Sequence, residues 1–384
     1  MQCVIDKAAI VEKLERVRSV TARKPTIPIL AFFRLRSTGG RMEIQATDLD
    51  VSYKTFLSCT RVDGEIDTCL PAQKVYEIAK EMPQQEIAFK FGEGDCTIAS
   101  GKAKFKIKTL SPENFPSLNY EYFDDLSTST LALSFKPSDL RDAINQVSYA
   151  CSTEASRFML NDILIKHDGA GVVSLTATDG HRLSRFTTST SGENPNAYVH
   201  EGRVIQEFRL PVRGATAWMG RGVGDDPIEI KATHRGIRLS SPTLGTYYTS
   251  IRDGQFPNVD QLFEGVKAGS PRVYEVETDA LSQAIRRAAL VADDRSQSVH
   301  LAFKPDMVMI SSESAEAGSS TEEVPVASDT EGMDDLFVGL NASYLLDVTS
   351  RQTGKIKVHV KTAAEAVLIT AGNGVEAVIM PLRV

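Results

Sequence analysis

The chain has 384 residues, and its 43 lysines and arginines against 50 aspartates and glutamates give a net charge of −7. Its 42% hydrophobic and 24% charged residues are typical of a globular protein of two or three domains. The sequence contains no run of about 18 apolar residues that could span a membrane, no signal-peptide core and no CxxC pair among its five cysteines. We therefore expect a cytoplasmic protein without a disulfide framework or a zinc ribbon.

An internal repeat divides the sequence into thirds. Three segments with Ser, Thr or Asp at a candidate N-cap and with Ala, Ile and Leu at helical spacing begin near Asp6, Asp139 and Asp279. Three further landmarks recur in the same order: ATD at 46–48 and 177–179, Leu-Pro at 70–71 and 210–211, and Phe-Pro at 115–116 and 256–257. The repeat predicts three homologous domains, at residues 1–125, 126–260 and 261–384.

Each third predicts the same order of elements: a helix, a hairpin, strands, a second helix and more strands. The first helix of the chain is expected at 6–20, and the second helices at 71–82, 211–220 and 341–352. Hairpin turns are expected at 39–40, 168–169 and 373–374, and the alternation at 102–108 predicts a strand with a lysine face. The fold class is therefore α+β, with two helices per domain packed on antiparallel sheets and irregular links at 119–130 and 259–272.

Catalytic patterns are weak in this chain. His181 lies between Asp179 and Ser184, but the sequence has no GxSxG motif, and Asp-Gly-His after a strand is more typical of a turn. Asp48 and Asp50 are the one carboxylate pair that suggests Mg²⁺, and the histidines lack metal-binding spacing. We expect no catalysis, cofactor or metal. A metal-dependent enzyme acting on nucleic acid remains an alternative.

Charged residues predict two surfaces. Basic residues recur on or beside helices of the three repeats, where they can bind phosphates even in an acidic protein; the candidates are Lys13, Arg16, Arg23, Lys24, Arg141, Arg213 and Arg286. Residues 306–350 contain no Lys or Arg, whereas 102–108 is rich in lysine. Opposite charges in the last and first repeats favour a head-to-tail contact between subunits, which can close into a ring. A scaffold of three repeats that does not bind DNA is a second alternative.

Four motifs resemble the bacterial DNA polymerase III β subunit family, the sliding clamps. They are PTIPIL at 25–30, ATDLD at 46–50, TDGHRL at 178–183 and MPLRV at 380–384. The resemblance covers essentially the whole chain and implies a homodimeric ring of six domains that encircles duplex DNA without catalysis of its own. It implies as partners a replicative DNA polymerase subunit, a clamp loader and other proteins that carry the clamp-binding motif, and it implies no membrane association.

The resemblance also implies particular site residues. A pocket for a partner peptide rich in Gln, Leu and Phe would be formed by Leu160, Thr178, Gly180, His181, Arg182, Leu183, Pro257, Val378, Met380, Pro381, Leu382 and Arg383. At the subunit contact, Phe105 and Ile107 would meet Leu290 and Val291 of the second copy. Gln261 and its neighbours replace a basic residue that the family often has beside the pocket, so we expect a less positive rim. The acidic Glu154 lies where the family often contacts DNA, so Arg23 and Lys24 are the preferred DNA contacts.

Overall fold

The computed structural model describes residues 1–21, 25–117, 131–168, 171–190, 199–200, 203–204, 207–219, 224–233, 236–250, 254–269, 271–330 and 333–382. The helices are α1 (Lys7–Val20), α2 (Ala72–Glu81), α3 (Pro137–Val147), α4 (Val212–Met219), α5 (Asp260–Lys267), α6 (Thr278–Ala288) and α7 (Ala342–Thr349). Short 3₁₀ helices cover Pro28–Ala31, Pro112–Asn114, Ser148–Ala150, Ala155–Leu160 and Ala289–Val291. Within this part of the chain, none of the helices combines the length and apolarity required to cross a membrane.

The strands fall into three groups along the chain. The first nine are β1 (Gln2–Asp6), β2 (Phe32–Thr38), β3 (Arg41–Thr47), β4 (Val51–Ser58), β5 (Arg61–Asp63), β6 (Asp67–Pro71), β7 (Glu86–Phe91), β8 (Asp95–Ser100) and β9 (Ala103–Lys108). The next ten are β10 (Leu131–Phe135), β11 (Asp162–His167), β12 (Val172–Thr178), β13 (Arg182–Ser189), β14 (Val199–His200), β15 (Arg203–Val204), β16 (Glu207–Pro211), β17 (Ile228–Ala232), β18 (Gly236–Ser241) and β19 (Gly245–Ser250). The last eight are β20 (Arg272–Glu277), β21 (Ser298–Phe303), β22 (Met307–Ser314), β23 (Gly318–Ser328), β24 (Leu336–Asn341), β25 (Lys355–Val360), β26 (Val367–Ala371) and β27 (Val375–Ile379).

The described residues form two compact units, and the first consists mainly of Met1–Arg141 and Thr190–Arg252. Its helix α1 begins where the Asp6 carboxylate accepts a hydrogen bond from the amide of Ala9 at 2.9 Å, an N-cap that replaces a missing backbone acceptor. Ile10, Leu14 and Val17 recur at helical spacing and are buried. This first helix and its cap were predicted correctly from the sequence.

Two antiparallel sheets complete the first unit. One has the strand order β5-β1-β7-β8-β9, so β9 is at its edge, and the exposed Lys104, Lys106 and Lys108 lie along that strand as predicted. The other has the order β10-β17-β18-β19-β4-β3-β2-β6. Its central pairing joins β4 from the first third of the chain to β19 from the second, with Tyr53 opposite Tyr247.

The second unit consists of Asp142–Asp168, Val172–Ser189 and Asp253–Val384. Its strands run in the order β11-β12-β13-β27-β26-β25-β20-β23-β22-β21-β24. The core lies between this sheet and helices α6 and α7, where Leu281 and Ile285 pack with Leu345 and Val348. Helices packed on antiparallel strands in both units confirm the predicted α+β fold class.

Two local predictions were wrong. The segment 259–272 is not irregular, because α5 occupies Asp260–Lys267 and its residues Phe263 and Val266 are buried. Val259, Phe263 and Val266 follow helical spacing, a signal that the many polar neighbours obscure. The candidate N-caps near Asp139 and Asp279 were also wrong, because α3 begins at Pro137 and α6 at Thr278, so these aspartates lie inside the helices, and Glu277 at the N-cap of α6 makes no side-chain capping bond. The other link, 119–130, lies outside the described residues, and the domain boundaries at 125 and 260 stay predictions.

Gly374, in the turn between β26 and β27, provides a test of how closely this turn packs against β13 in the sheet of the second unit. Its φ is +90°, and a Cβ there would lie 2.7 Å from the carbonyl oxygen of Thr187 on the neighbouring strand. We expect Gly374→Ala to lower the free energy of unfolding by about 2 kcal/mol, since both backbone strain and a backbone clash result. Gly372→Ala is the matched control, because a Cβ on Gly372 meets no atom within 4 Å and its φ is ordinary. Urea unfolding of the two variants measures the difference, and equal stabilities would contradict the expectation.

Candidate functional site

The floor of the candidate pocket is formed by three neighbouring strands of the second unit. Leu183 on β13 lies opposite both Thr178 on β12 and Val378 on β27. Because directly opposite residues on antiparallel strands share a face, these three side chains form one surface. They are 2%, 8% and 1% exposed, respectively. The apolar side chains of α5 pack on the same surface, with Phe263 in the cluster that contains Leu183 and Val378.

A tight turn at 178–182 forms the wall beside this floor. The Thr178 hydroxyl donates to the carbonyl of Arg182 at 2.7 Å and accepts from the amide of Gly180 at 3.1 Å. The Asp179 carboxylate accepts from the amides of His181 and Arg182 at 2.9 and 3.0 Å. Gly180 has a φ of +91°, which favours glycine at this position. The motif TDGHR therefore encodes a turn whose side chains are used to hold the backbone.

The segment after β27 lies against this turn. The amide of Met380 donates to the carbonyl of His181 at 2.9 Å, and the amide of Leu382 donates to the carbonyl of Gly339 at 2.8 Å. Met380 is 42% exposed although it is a large apolar residue, and Pro381 and Leu382 are half-buried. The structure thus brings these pocket residues to the wall with apolar side chains accessible. Arg383 lies outside the described residues.

Two further predicted pocket residues come from separate segments. Leu160 ends the 3₁₀ helix Ala155–Leu160, whose Arg157 guanidinium donates to the carbonyl of Asp179 at 3.0 Å and so joins that helix to the turn. Pro257 is exposed and follows Phe256, which packs against the cluster that contains Leu183 and Val378. Both residues are accessible in part, and their place in a pocket stays a prediction.

Asp260, the acidic residue next to Gln261, has a defined structural role. The Asp260 carboxylate accepts from the Lys166 ammonium at 2.9 Å and also binds the Arg185 guanidinium. Hydrogen bonding from Lys166, followed by Arg185, lowers the pKa of Asp260 below its ordinary value of 3.8. The Arg185 guanidinium also lies 4.1 Å from the centre of the Phe263 ring. One carboxylate thus binds two cations, Lys166 and Arg185, and the expectation of a less positive rim stays a prediction.

Groups that could support catalysis have structural roles instead. The Ser184 hydroxyl is fully buried and donates to the carbonyl of Gln146 at 2.9 Å, so it is not available as a nucleophile. The Asp48 carboxylate accepts from the amides of Asp50 and Val51 at 3.1 and 2.8 Å, as in a turn. Within the described ranges, no three His, Cys, Asp or Glu side chains are grouped as a metal site requires.

Two of the predicted DNA contacts are corrected by the structure. Lys13 and Arg16 are 9% and 3% exposed. The Arg16 guanidinium donates to the carbonyl of Trp218 at 2.9 Å, at the end of α4, where the last helical carbonyls need donors. The Lys13 ammonium binds the carbonyl of Thr243, and burial lowers its pKa. Their charges therefore satisfy carbonyls inside the first unit and do not face a phosphate backbone.

The other predicted DNA contacts differ in their exposure. Arg286 on α6 is exposed, and Arg141 on α3 is half-buried. Arg23, Lys24 and the side chain of Arg213 lie outside the described residues. Charge counts along a helix do not distinguish a buried cation from a solvated one, which is why Lys13 and Arg16 were predicted as surface residues.

The residues expected at the subunit contact are accessible in a single chain. Phe105 is 45% exposed and Ile107 half-buried on β9. Leu290 is 80% exposed and Val291 half-buried in the 3₁₀ helix Ala289–Val291. Apolar residues this accessible often mark a protein contact.

Comparison with known proteins identifies the family. Models of the DNA polymerase III beta subunit match the N-terminal domain at residues 1–119, the central domain at 134–258 and the C-terminal domain at 268–383. The chain is 27% identical to the beta sliding clamps of Caulobacter vibrioides and Haemophilus influenzae, with 100% of each chain covered. The DNA polymerase III beta subunit of Thermotoga maritima has a similar fold, with a TM-score of 0.87 at 20% identity over 100% of this chain and 99% of that one. The chain belongs to the DNA polymerase III β subunit family.

Proposed function

We propose that this protein is a DNA sliding clamp. Two copies joined head to tail encircle duplex DNA and tether a replicative DNA polymerase, which gives the polymerase processivity. The observation that carries the proposal is the succession of three domain matches from one family, which together cover nearly the whole chain. The clamp acts in the cytoplasm as a non-catalytic subunit and needs no cofactor.

The ring retains DNA by topology and not by tight binding. Attraction to phosphates carries no sequence information, so a ring lined by a few cations can slide along the duplex. The proposed contacts are Arg23, Lys24, Arg141, Arg213 and Arg286, without the buried Lys13 and Arg16. Because the chain as a whole is acidic, its surface elsewhere repels DNA, which confines the attraction to these positions.

Ring closure is supported by two strands with accessible edges. Among the described residues, strand β9 pairs with one strand, β8. Strand β23 pairs with β20 only from Val326 to Ser328, so residues 318–325 have a strand on one side only within the described part of the chain. We propose that β9 of one copy approaches β23 of the other. Phe105 and Ile107 would then meet Leu290 and Val291, as apolar residues at an obligate interface do.

Partner proteins are proposed to bind through the pocket of the second unit. Its floor residues Leu183 and Val378 are almost fully buried, its wall is fixed by hydrogen bonds, and Met380 and Leu382 offer the accessible apolar contacts. A short peptide with Leu and Phe side chains can bury them there, while a few polar groups at the rim set its orientation. The polymerase subunit, the clamp loader and other proteins with the clamp-binding motif would compete for this one site on each copy.

The test uses a nicked circular DNA, a bacterial clamp loader and ATP. The protein is loaded and washed in high salt, and the circle is then cut once. We expect the protein to be lost from the DNA on cutting, because a ring slides off a linear end. A known clamp loaded in parallel controls the reaction.

Two other results would contradict the proposal. Retention after cutting would mean direct tight binding and would favour the enzyme alternative, which a metal-dependent nuclease assay then tests. Failure to load while the known clamp loads would favour the scaffold that does not bind DNA.

A further inference from the structure

The guanidinium of Arg182 lies over the faces of two tyrosine rings. Its Cζ atom is 4.4 Å from the ring centre of Tyr344 and 5.3 Å from that of Tyr149. Burial raises the pKa of Tyr149 to about 12, so its ring stays neutral at physiological pH. A cation over the faces of neutral aromatic rings is attracted by each of them. Both ring contacts therefore favour the observed position of the guanidinium.

Each nitrogen of this guanidinium also has an acceptor. Nε donates to the Asp179 carboxylate at 3.0 Å, Nη1 to the Asp347 carboxylate at 2.5 Å, and Nη2 to the carbonyl of Tyr149 at 2.6 Å. The side chain of Arg182 is 13% exposed. These acceptors belong to the turn 178–182, to α7 and to the 3₁₀ helix Ser148–Ala150. One side chain thus joins three segments that are distant in the sequence.

Asp347 is itself held in place by a second arginine. The Arg351 guanidinium donates to the Asp347 carboxylate at 3.3 Å, and its Cζ atom lies 4.6 Å from the centre of the Tyr149 ring. Arg351 also donates to the carbonyl of Asn145 at 3.1 Å. Asp347 therefore presents its carboxylate to Arg182 from a fixed position on α7. Hydrogen bonds between charged partners are about twice as strong as neutral ones, so the Asp347 contact is a strong link between α7 and Arg182, alongside the Asp179 contact within the turn.

We propose that Asp347, with the rings of Tyr149 and Tyr344, acts through Arg182 as a positioning residue for the pocket. Three of the five N–H groups of Arg182 donate to these contacts, and the role of this side chain is to fix the turn 178–182 before a peptide binds. A preformed wall spares the peptide the entropic cost of ordering that turn. The inference rests on the proposed function in one respect only, that a partner peptide binds beside this turn.

The experiment compares Asp347→Ala with Glu275→Ala as its matched control. The Asp347 and Glu275 side chains are 36% and 35% exposed, and each forms an ion pair, but Glu275 binds Lys355 on β25 and has no contact with Arg182. Alanine is favourable in a helix, so α7 should persist in the Asp347 variant. Thermal unfolding checks that both variants are folded, and Asp347→Glu tests whether a longer carboxylate restores the contact.

Hydrogen exchange in the free protein is the first measurement. The amides of His181 and Arg182, which donate to Asp179, should exchange about five-fold faster in Asp347→Ala and be unchanged in Glu275→Ala, because exchange reports local opening. The second measurement is the affinity for a synthetic peptide rich in Gln, Leu and Phe. We expect Asp347→Ala to weaken it by about ten-fold, with substantial recovery in Asp347→Glu.

Three results would each contradict a different part of the proposal. Unchanged exchange in Asp347→Ala would overturn the positioning role. Faster exchange with unchanged peptide affinity would overturn the link between the turn and the pocket. If the unaltered protein does not bind the peptide, the proposed pocket is wrong, while the exchange measurement still decides whether Asp347 positions the turn.

Discussion

Replacing both Leu290 and Val291 by lysine is expected to leave the protein monomeric at concentrations where the unaltered chain is a dimer. Leu290 is 80% exposed in the single chain. Burial of this apolar side chain against a second copy would stabilise the dimer. In the proposed contact it meets β9, where Lys104, Lys106 and Lys108 are exposed. The new lysines would lose the apolar contact and place like charges within about 10 Å, a distance at which salt screens them incompletely.

Light scattering after size exclusion, over a series of concentrations, measures this change. Leu262→Lys is the control, because Leu262 is another exposed leucine, 39% accessible, on α5 outside the proposed contact. Glutamates at positions 290 and 291 should weaken the dimer less than lysines do, since they face a basic strand. An unchanged solution mass for the lysine variant would show that the interface lies elsewhere.

Removal of residues 380–384 should abolish stimulation of the polymerase and leave the dimer intact. The deletion removes the apolar side chains of Met380 and Leu382 together with the amides that donate to His181 and Gly339. Each buried side chain of this size contributes about 1.5 kcal/mol or more, so losing two weakens peptide binding by more than about 100-fold. The proposed subunit contact uses residues of β9 and of Ala289–Val291, which the deletion does not touch.

Primer extension on a singly primed circle with clamp loader measures stimulation. A second variant, Met380→Ser with Leu382→Ser, keeps both backbone donors and loses only the apolar groups, so it separates the pocket from the attachment of the segment. It should lose nearly as much stimulation as the deletion does. Normal stimulation by the shortened chain would remove these residues from the site.

Local signals in the sequence were sufficient for the elements that depend on neighbouring residues. The cap at Asp6 and the apolar spacing of α1 lie within one helix, and strict alternation defines β9. Helix α5 was missed although Val259, Phe263 and Val266 carry the same kind of signal, because polar residues surround them. A local signal is therefore recognised only where neighbouring polar residues do not obscure the apolar spacing.

The fate of individual charges could not be predicted in this way. Whether Arg16 faces solvent depends on the carbonyl of Trp218, about 200 positions later, which no local pattern reveals. The wall of the pocket was recognised only through its resemblance to a family. The partners of Arg182 come from three separate segments, so their convergence is visible only in the folded chain.

The pairing of β13 with β27 has a consequence for how the pocket arises during folding. Leu183 and Val378, which meet on this floor, come from the middle of the chain and from its last strand. Contacts between such distant segments form late, because the entropy of closing a long loop opposes them. A partly folded chain, with its helices and local hairpins already in place, would therefore have no pocket floor. During refolding, the time at which the protein begins to bind the peptide would therefore report when β27 pairs with β13.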